Sequence, residues 1–526
     1  MLRRVRYHRD VSGYFVENFG CRATQADGAA LERQFEERGM ARASASSQAS
    51  VVVMNTCTVT AGADQDARAA IRRVRRQNPD ARIIVTGCYA QRAPEEIAAL
   101  PGVSLVVGNS HKHQLAEIVS IQNRTSDRRP RTADPSFIPL TSLAGSCGNG
   151  DTIADCQSSL RGGFEVLSPK SEVQTFVSDI FAHTELLAAP VFDAANERTR
   201  PNLKVQDGCD NRCSFCVIPY VRGQSRSLDI ERILREVNGL VESGYHEVVV
   251  SGINLGRWGR DLDLRRQTSD LSQTLATEVR GPKSEVAFES LIRAILSGTA
   301  LEKLRISSVE PMDWTDELIS LVASSPRIAK HAHVPMQSGS DAVLRRMHRK
   351  YRPWHYREKI EKIRAIMPTA AIGADVMVGF PGETDAEFES TRRMIEELPF
   401  TYLHVFTYSA RPGTPAAEMT NQVPVHLARE RNRILRELGA EKKLAFMRSF
   451  IGKSVDAITL NVAGNDADGE FTESLTDNYL KLRLRGRHES NRWQPAQIDS
   501  VADGALVGRN VISIPEMQRH RGEGVA

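Results

Sequence analysis

The sequence predicts an α/β protein in three parts: an N-terminal open parallel α/β sheet, a central partial (β/α)6 barrel and a C-terminal small β-barrel. Three observations lead there. Short apolar runs alternate with helical patterns at the start of the chain and again from Lys204 to about Ala417, a rhythm that builds parallel sheets. Polar, glycine-bearing stretches follow the strand patterns, where α/β folds hold their ligands. Beyond a long helical stretch, Val425 to Phe450, the pattern changes to short strands.

The first part spans residues 10–120. Gly13 to Phe19, Ser50 to Asn55 and Ala81 to Thr86 read as strands, each followed by a helical stretch. A cysteine follows each strand: Cys21 in Phe19-Gly20-Cys21, Cys57 in Asn55-Thr56-Cys57-Thr58, and Cys88 in Thr86-Gly87-Cys88-Tyr89. Ligands of open sheets sit beyond the strands' carboxyl ends, so three thiols distant in sequence can converge there. The alternative is three buried structural cysteines.

Residues 121–200 lose the pattern. Arg124, Arg128, Arg129 and Arg131 cluster with prolines, and a Ser/Gly-rich tract runs from Gly145 to Gly163, so a linker or partly disordered insertion is expected. Cys147 and Cys156 fall in it and read as surface thiols without a role.

The barrel is expected over residues 201–448. Ile230, Ile233, Leu234, Val237, Leu240 and Val241 make a helical stripe within Arg226 to Glu242. Strands are expected at Glu247–Ser251, Lys303–Ser308, His331–Pro335, Ala371–Gly379 and Tyr402–Tyr408, with helices between. After the first strand come Cys209, Cys213 and Cys216, spaced Cys-x3-Cys-x2-Cys. Three thiolates at this spacing can hold three irons of one cubane cluster. No fourth cysteine lies at matching distance, which leaves one iron open for a small molecule. A closed zinc site is the competing reading, but it wants four ligands, and no second Cys pair or His-x3-5-His follows.

An open iron at a barrel mouth can bind S-adenosylmethionine and split it reductively, which requires a cluster at the low end of the potential range and a low-potential donor. Strand-end stretches around Asn254, Glu310, Gln337, Ser338 and Gly379–Glu383 suit such a ligand, because Gln337, Ser338 and Glu310 can hydrogen-bond its ribose or amino-acid part.

The last part spans residues 449–516. Lys481, Arg483, Arg485 and Arg487 alternate with Leu482 and Leu484, so on a strand the charges share one face. Such a face binds an RNA backbone or is simply a solvated polar surface. The bulk composition is consistent with this organisation. The 526 residues allow about three domains. A formal net charge of +4 leaves any nucleic-acid binding to local patches. Eight cysteines without an export signal or an apolar run of bilayer length point to a reducing cytoplasm.

Taken together, these motifs resemble the radical SAM methylthiotransferase family. The resemblance rests on the three cysteine stretches of the first part and the cluster loop through Val217-Ile218-Pro219-Tyr220-Val221-Arg222-Gly223. It continues in Gln337-Ser338-Gly339-Ser340, Val378-Gly379-Phe380-Pro381-Gly382-Glu383-Thr384 and Phe406-Thr407-Tyr408-Ser409-Ala410-Arg411-Pro412-Gly413-Thr414.

The resemblance implies two [4Fe–4S] clusters: the radical-generating one on Cys209, Cys213 and Cys216, and an auxiliary one on Cys21, Cys57 and Cys88. S-adenosylmethionine would be contacted by Phe215, Asn254, Glu310, Gln337, Ser338 and Asp375. The C-terminal barrel would be a TRAM-like RNA-binding domain.

The implied reaction adds a methylthio group to carbon 2 of N6-threonylcarbamoyladenosine beside the tRNA anticodon. It needs an electron donor such as a flavodoxin or ferredoxin, a sulfur donor, and no membrane. Isopentenyladenosine of tRNA and a ribosomal-protein aspartate are the other substrates within the family, and a non-catalytic zinc-dependent RNA-binding protein is the competing class. The long insertion and Ala23-Thr24 before Gln25 depart from the family pattern.

Overall fold

The computed structural model describes residues 13–126, 173–183, 186–187, 200–262 and 287–511; Cys147, Cys156 and the basic run 128–131 lie outside them. The described chain divides into two compact units. One takes residues from 13–18, 31–56 and 65–183, and the other takes 19–30, 57–64 and the rest of the chain.

The first unit is built on a parallel sheet in the order β2-β1-β3-β4-β5-β6. Its strands are β1 (Gly13–Asn18), β2 (Ala41–Arg42), β3 (Val51–Thr56), β4 (Arg82–Gly87), β5 (Val103–Gly108) and β6 (Gln174–Phe176). Every residue of β3 is buried, as a parallel strand covered on both faces requires. The helix Ala61–Gln77 buries Ala67, Ala70, Ile71 and Val74, one stripe of an otherwise polar helix. Strand β6 corrects the expectation of an unpatterned 121–200, because Gln174–Phe176 pairs with Leu105–Val107 at the sheet edge. Three residues are too short for periodicity to reveal.

In the second unit, β7 (Asn202–Asp207), β9 (Glu247–Gly252) and β10 (Lys303–Ile306) run parallel, with β8 (Arg226–Ser227) antiparallel to β7. A parallel set of β11 (His331–His333), β12 (Ala371–Val378) and β13 (Tyr402–Thr407) follows. A bridge between Leu304 and Ile328 and a bond from Val309 N to His333 O (3.1 Å) join the two sets. The result is six parallel strands in sequence order.

Alternation along β12 separates two faces. Ile372, Ala374, Val376 and Val378 enter the core, whereas Asp375 and Met377 stay partly open. The helix expected to start at Arg226 begins at Ile230 instead. Asp229 caps it by accepting from Arg232 N, which leaves Arg226 and Ser227 free to pair as a strand.

After the helix Val425–Arg448 come β14 (Ser454–Asp466), β15 (Gly469–Thr476), β16 (Lys481–Arg485), β17 (Trp493–Ala502) and β18 (Ala505–Asn510). Each pairs with two neighbours, so the ring β14-β15-β16-β18-β17 closes. Leu482 and Leu484 point into its core. Arg483 is tied to Asp503, and Arg485 to Asp466 and Asp468.

Candidate active site

Cys209 leaves the carboxyl end of β7 through Gly208, whose φ of +71° favours glycine. A Cβ on Gly208 would collide with Gln224 O. The turn is closed by Cys209 N donating to Gly223 O at 3.0 Å and Gly208 N to Asp207 Oδ1 at 2.8 Å. Gln206 spreads its amide beneath the loop. It donates to Gly208 O at 2.8 Å and Ser225 Oγ at 2.9 Å, and accepts from Asn254 N at 2.7 Å.

Two side chains donate to the sulfurs: Asn254 Nδ2 to Cys209 Sγ at 3.6 Å and Arg349 Nη1 to Cys213 Sγ at 3.4 Å. The other arm of Arg349 holds Glu310. Burial pushes the Cys209 thiol up to about 11; burial and the neighbouring Cys213 push Cys216 up to about 12. Both are therefore protonated at neutral pH until a bound cation compensates their charge.

His333, Asp375 and His404 are the one set of three potential ligands among the described residues whose ligand atoms all lie within 4.8 Å of one another.

The remaining expected contacts divide. Asn254, Glu310 and Cys213 gather around Arg349 and Cys209 as described. Phe215 meets Phe380 edge to face at 6.4 Å. Gln337 adopts φ +62°; its N–H donates to Asp375 O at 2.8 Å and its O accepts from Met377 N at 2.8 Å, which places it at the carboxyl half of β12. Ser338 is buried, with its hydroxyl on Thr391 Oγ1 at 3.1 Å and the Ser340 amide at 3.1 Å. Asp375 lies 3.2 Å from His333 Nε2 and 3.3 Å from His404 Nδ1. Burial opposes its charge, but the two imidazoles outweigh that and hold the carboxyl well below its usual range.

Cys21, Cys57 and Cys88 follow β1, β3 and β4, which are adjacent in the sheet. Gly20 has φ +92°, and a Cβ there would press on Cys57 Cβ and Sγ. Gly87 has φ +101° and packs against the backbone of Thr56. These glycines let the strand ends approach closely. Polar atoms again face sulfur: Thr24 Oγ1 lies 3.5 Å from Cys21 Sγ, and Asn109 Nδ2 donates to Cys88 Sγ at 3.5 Å.

Sequence reasoning missed Lys204, Asp27, Asp207, Arg222, Arg349, Asp64 and Arg411. Lys204 is fully buried between Asp27 and Asp207 (2.8 Å to the latter), and Arg222 reaches Asp207 at 3.0 Å and Asp27 at 3.0 Å. Burial opposes the Asp207 charge, yet Arg222, Lys204 and Arg226 hold its carboxyl well below the usual range. Removing one partner from a buried pair costs about 3–5 kcal/mol, so this cluster is a strong constraint on geometry. Its signal was available: a lysine in the middle of the apolar strand Leu203-Lys204-Val205 needs a buried acid.

Comparison with known proteins finds relatives across most of the chain. Residues 13–108 match a family described as "Uncharacterized protein family UPF0004", and residues 203–395 match the radical SAM superfamily. The chain is 34% identical to the threonylcarbamoyladenosine tRNA methylthiotransferase MtaB of Bacillus subtilis (strain 168), across 89% of this chain and 90% of that one. It is 33% identical to MtaB of Aquifex aeolicus (strain VF5), across 90% and 97%. A tRNA-2-methylthio-N(6)-dimethylallyladenosine synthase of Thermobifida fusca (strain YX) is 30% identical, across 94% and 85%.

Proposed function

The chain belongs to the radical SAM methylthiotransferase family, and from that premise we propose that it adds a methylthio group to carbon 2 of N6-threonylcarbamoyladenosine next to the tRNA anticodon. The observation that carries this reading is the presence in one chain of two separate three-cysteine sets, each at the carboxyl ends of parallel strands. Cys209, Cys213 and Cys216 would hold one [4Fe–4S] cluster, and Cys21, Cys57 and Cys88 a second. When bound, the first supplies the electron that splits S-adenosylmethionine and the second carries the sulfur to be methylated and transferred.

The chain's own residues bind and orient. Lys350 lines the cleft that contains Cys213 and Glu310 beside Arg257 and Arg349, whose charges are partly met by Asp313 and Glu310, so its ammonium would draw the carboxylate of S-adenosylmethionine. Asn254 and Arg349 donate to the sulfurs of Cys209 and Cys213 and would stabilise their negative charge as cluster ligands. Gln337, whose backbone is spent on Asp375 and Met377, would offer its side-chain amide, Phe215 would offer an apolar edge, and Ser338 stiffens the turn through Thr391. Asp375 keeps the rings of His333 and His404 in place on the open face of the strands.

The closed five-stranded ring within 449–516 serves as the TRAM-like RNA-binding part. A low-potential flavodoxin or ferredoxin and a sulfur donor complete the system in the cytoplasm; among the described residues no helix is long and apolar enough to cross a membrane.

Mass spectrometry of tRNA nucleosides from a strain lacking this protein tests the reading. The methylthio-threonylcarbamoyl nucleoside should disappear while the methylthio-isopentenyl one persists. The opposite pattern would move the substrate to the dimethylallyl branch. Anaerobically purified protein that is colourless and holds zinc would remove the enzyme reading altogether.

A further inference from the structure

Two buried charge clusters tie the segments that carry Cys21 and Cys57 to the loop that carries Cys209, Cys213 and Cys216. The first starts at Cys21, whose sulfur meets Thr24 Oγ1 at 3.5 Å. Arg222 Nη2 reaches Thr24 Oγ1 at 3.4 Å and Asp27 at 3.0 Å. Its Nη1 donates to both oxygens of Asp207 at 3.0 Å, and Asp207 Oδ1 accepts from Gly208 N beside Cys209.

The second starts just after Cys57. Arg411 Nη2 donates to Thr58 Oγ1 at 2.8 Å and to Asp64, and Thr58 also donates to Asp64 at 2.6 Å. Arg411 O accepts from Thr414 Oγ1 at 2.7 Å, and Ala416 N donates to Ser214 O at 2.9 Å, between Cys213 and Cys216. Asp27, Arg222, Asp64 and Arg411 each expose less than a tenth of their surface. Segments 19–30 and 57–64 accordingly group with the six-stranded core of the second unit rather than with the sheet they emerge from.

We propose that the Asp27–Arg222–Lys204 and Asp64–Arg411–Thr58 clusters are positioning devices that set Cys21 and Cys57 against the Cys209–Cys216 loop, and so couple sulfur transfer to cleavage of S-adenosylmethionine. The residues touch no reacting atom; they act through the cysteine segments they hold. The inference rests on the two-cluster reading above for its catalytic consequence but not for its structural one. Buried pairing fixes position because a charge withdrawn from its partner has nowhere to be solvated. A displacement of about 1 Å in a reacting group can cost on the order of 10²-fold in rate.

Hydrogen exchange on the full-length apoprotein tests the structural part, using Arg411→Gln. Amides of 57–64 should exchange faster than in wild type, while those of 19–30 should not change. In the reconstituted enzyme, methylthio product per 5′-deoxyadenosine should fall on the order of 10²-fold with S-adenosylmethionine cleavage retained. Arg411→Lys should recover part of both, because it restores the charge but not the reach of the planar guanidinium. Unchanged exchange at 57–64, or loss of cleavage in proportion to product, overturns the proposal. If Arg411→Gln does not fold, Thr58→Val removes one bond of the cluster and should give the same pattern more weakly; unchanged exchange there overturns it equally. Wild-type enzyme that makes no methylthio product from threonylcarbamoyl tRNA would refute the substrate reading, and the exchange result alone would then decide the positioning.

Discussion

Arg349 bridges Cys213 and Glu310, donating to the Cys213 sulfur at 3.4 Å with one arm and holding the Glu310 carboxylate with the other. A guanidinium this buried is stable only beside compensating negative charge, which the Glu310 carboxylate supplies and the Cys213 sulfur would supplement as a thiolate. Arg349→Met should therefore weaken cluster binding or S-adenosylmethionine cleavage by about 10–100-fold, the usual cost of losing a partner of a metal ligand. 5′-Deoxyadenosine yield and iron content check it. Arg349→Lys should recover only part, since one ammonium cannot reach both partners as a planar fork does.

Gly208→Ala should unload one cluster and spare the other. The added methyl meets Gln224 O in a left-handed backbone, so the turn that places Cys209 N against Gly223 O cannot close. Iron should drop from about eight to about four per chain, by cluster stoichiometry. Gly244→Ala is the control. It also has positive φ (+86°), but nothing lies within 4 Å of its Cβ, so it should cost roughly 1–2 kcal/mol of backbone strain and leave iron unchanged.

The cysteines were legible in the sequence because chemistry marks them locally: spacing for Cys209, Cys213 and Cys216, and recurrence after strand patterns for Cys21, Cys57 and Cys88. The six strands of the barrel were legible because apolar runs of four to eight residues repeat with helical stripes between them. Strand β6 and the start of the helix at Ile230 were not. The first depends on an edge pairing with β5, and the second on whether Asp229 caps the helix or continues the chain. Nor were the partners of Arg222 and Arg411, because Asp27 and Asp64 lie 195 and 347 residues away and only the folded chain brings them together. The Arg483 and Arg485 face was read correctly as one side of a strand, but its acids sit on other strands of the ring, so their neutralisation could not be foreseen.

Cys57→Ala should separate the two halves of the chemistry. The thiol is buried after β3 and lies beside Gly20. Reductive cleavage of S-adenosylmethionine should persist, methylthio product should vanish, and iron should again fall to about four per chain. Loss of cleavage in this variant would mean that the two cysteine sets do not act as separate sites.

The basic face of β16 divides by pairing, and so should its variants. Arg485 donates to Asp466 at 2.6 Å and Asp468 at 2.8 Å, and Arg483 to Asp503 at 2.9 Å, so their charges are largely spent within the ring. Among the described residues no acid pairs with Lys481, which is exposed and lines a cleft with Arg436 and Lys443 of the long helix. A phosphate contact releases counterions, and each one contributes roughly 0.7–0.9 to the slope of log affinity against log salt. Lys481→Ala should reduce that slope for tRNA by about one contact and weaken binding uniformly across sequences. Arg485→Ala should leave the slope unchanged, since its charge is already paired with Asp466 and Asp468. Equal loss of salt dependence in both variants would show that the ring meets RNA through the whole face, with the Asp466 and Asp468 pairs opening on binding.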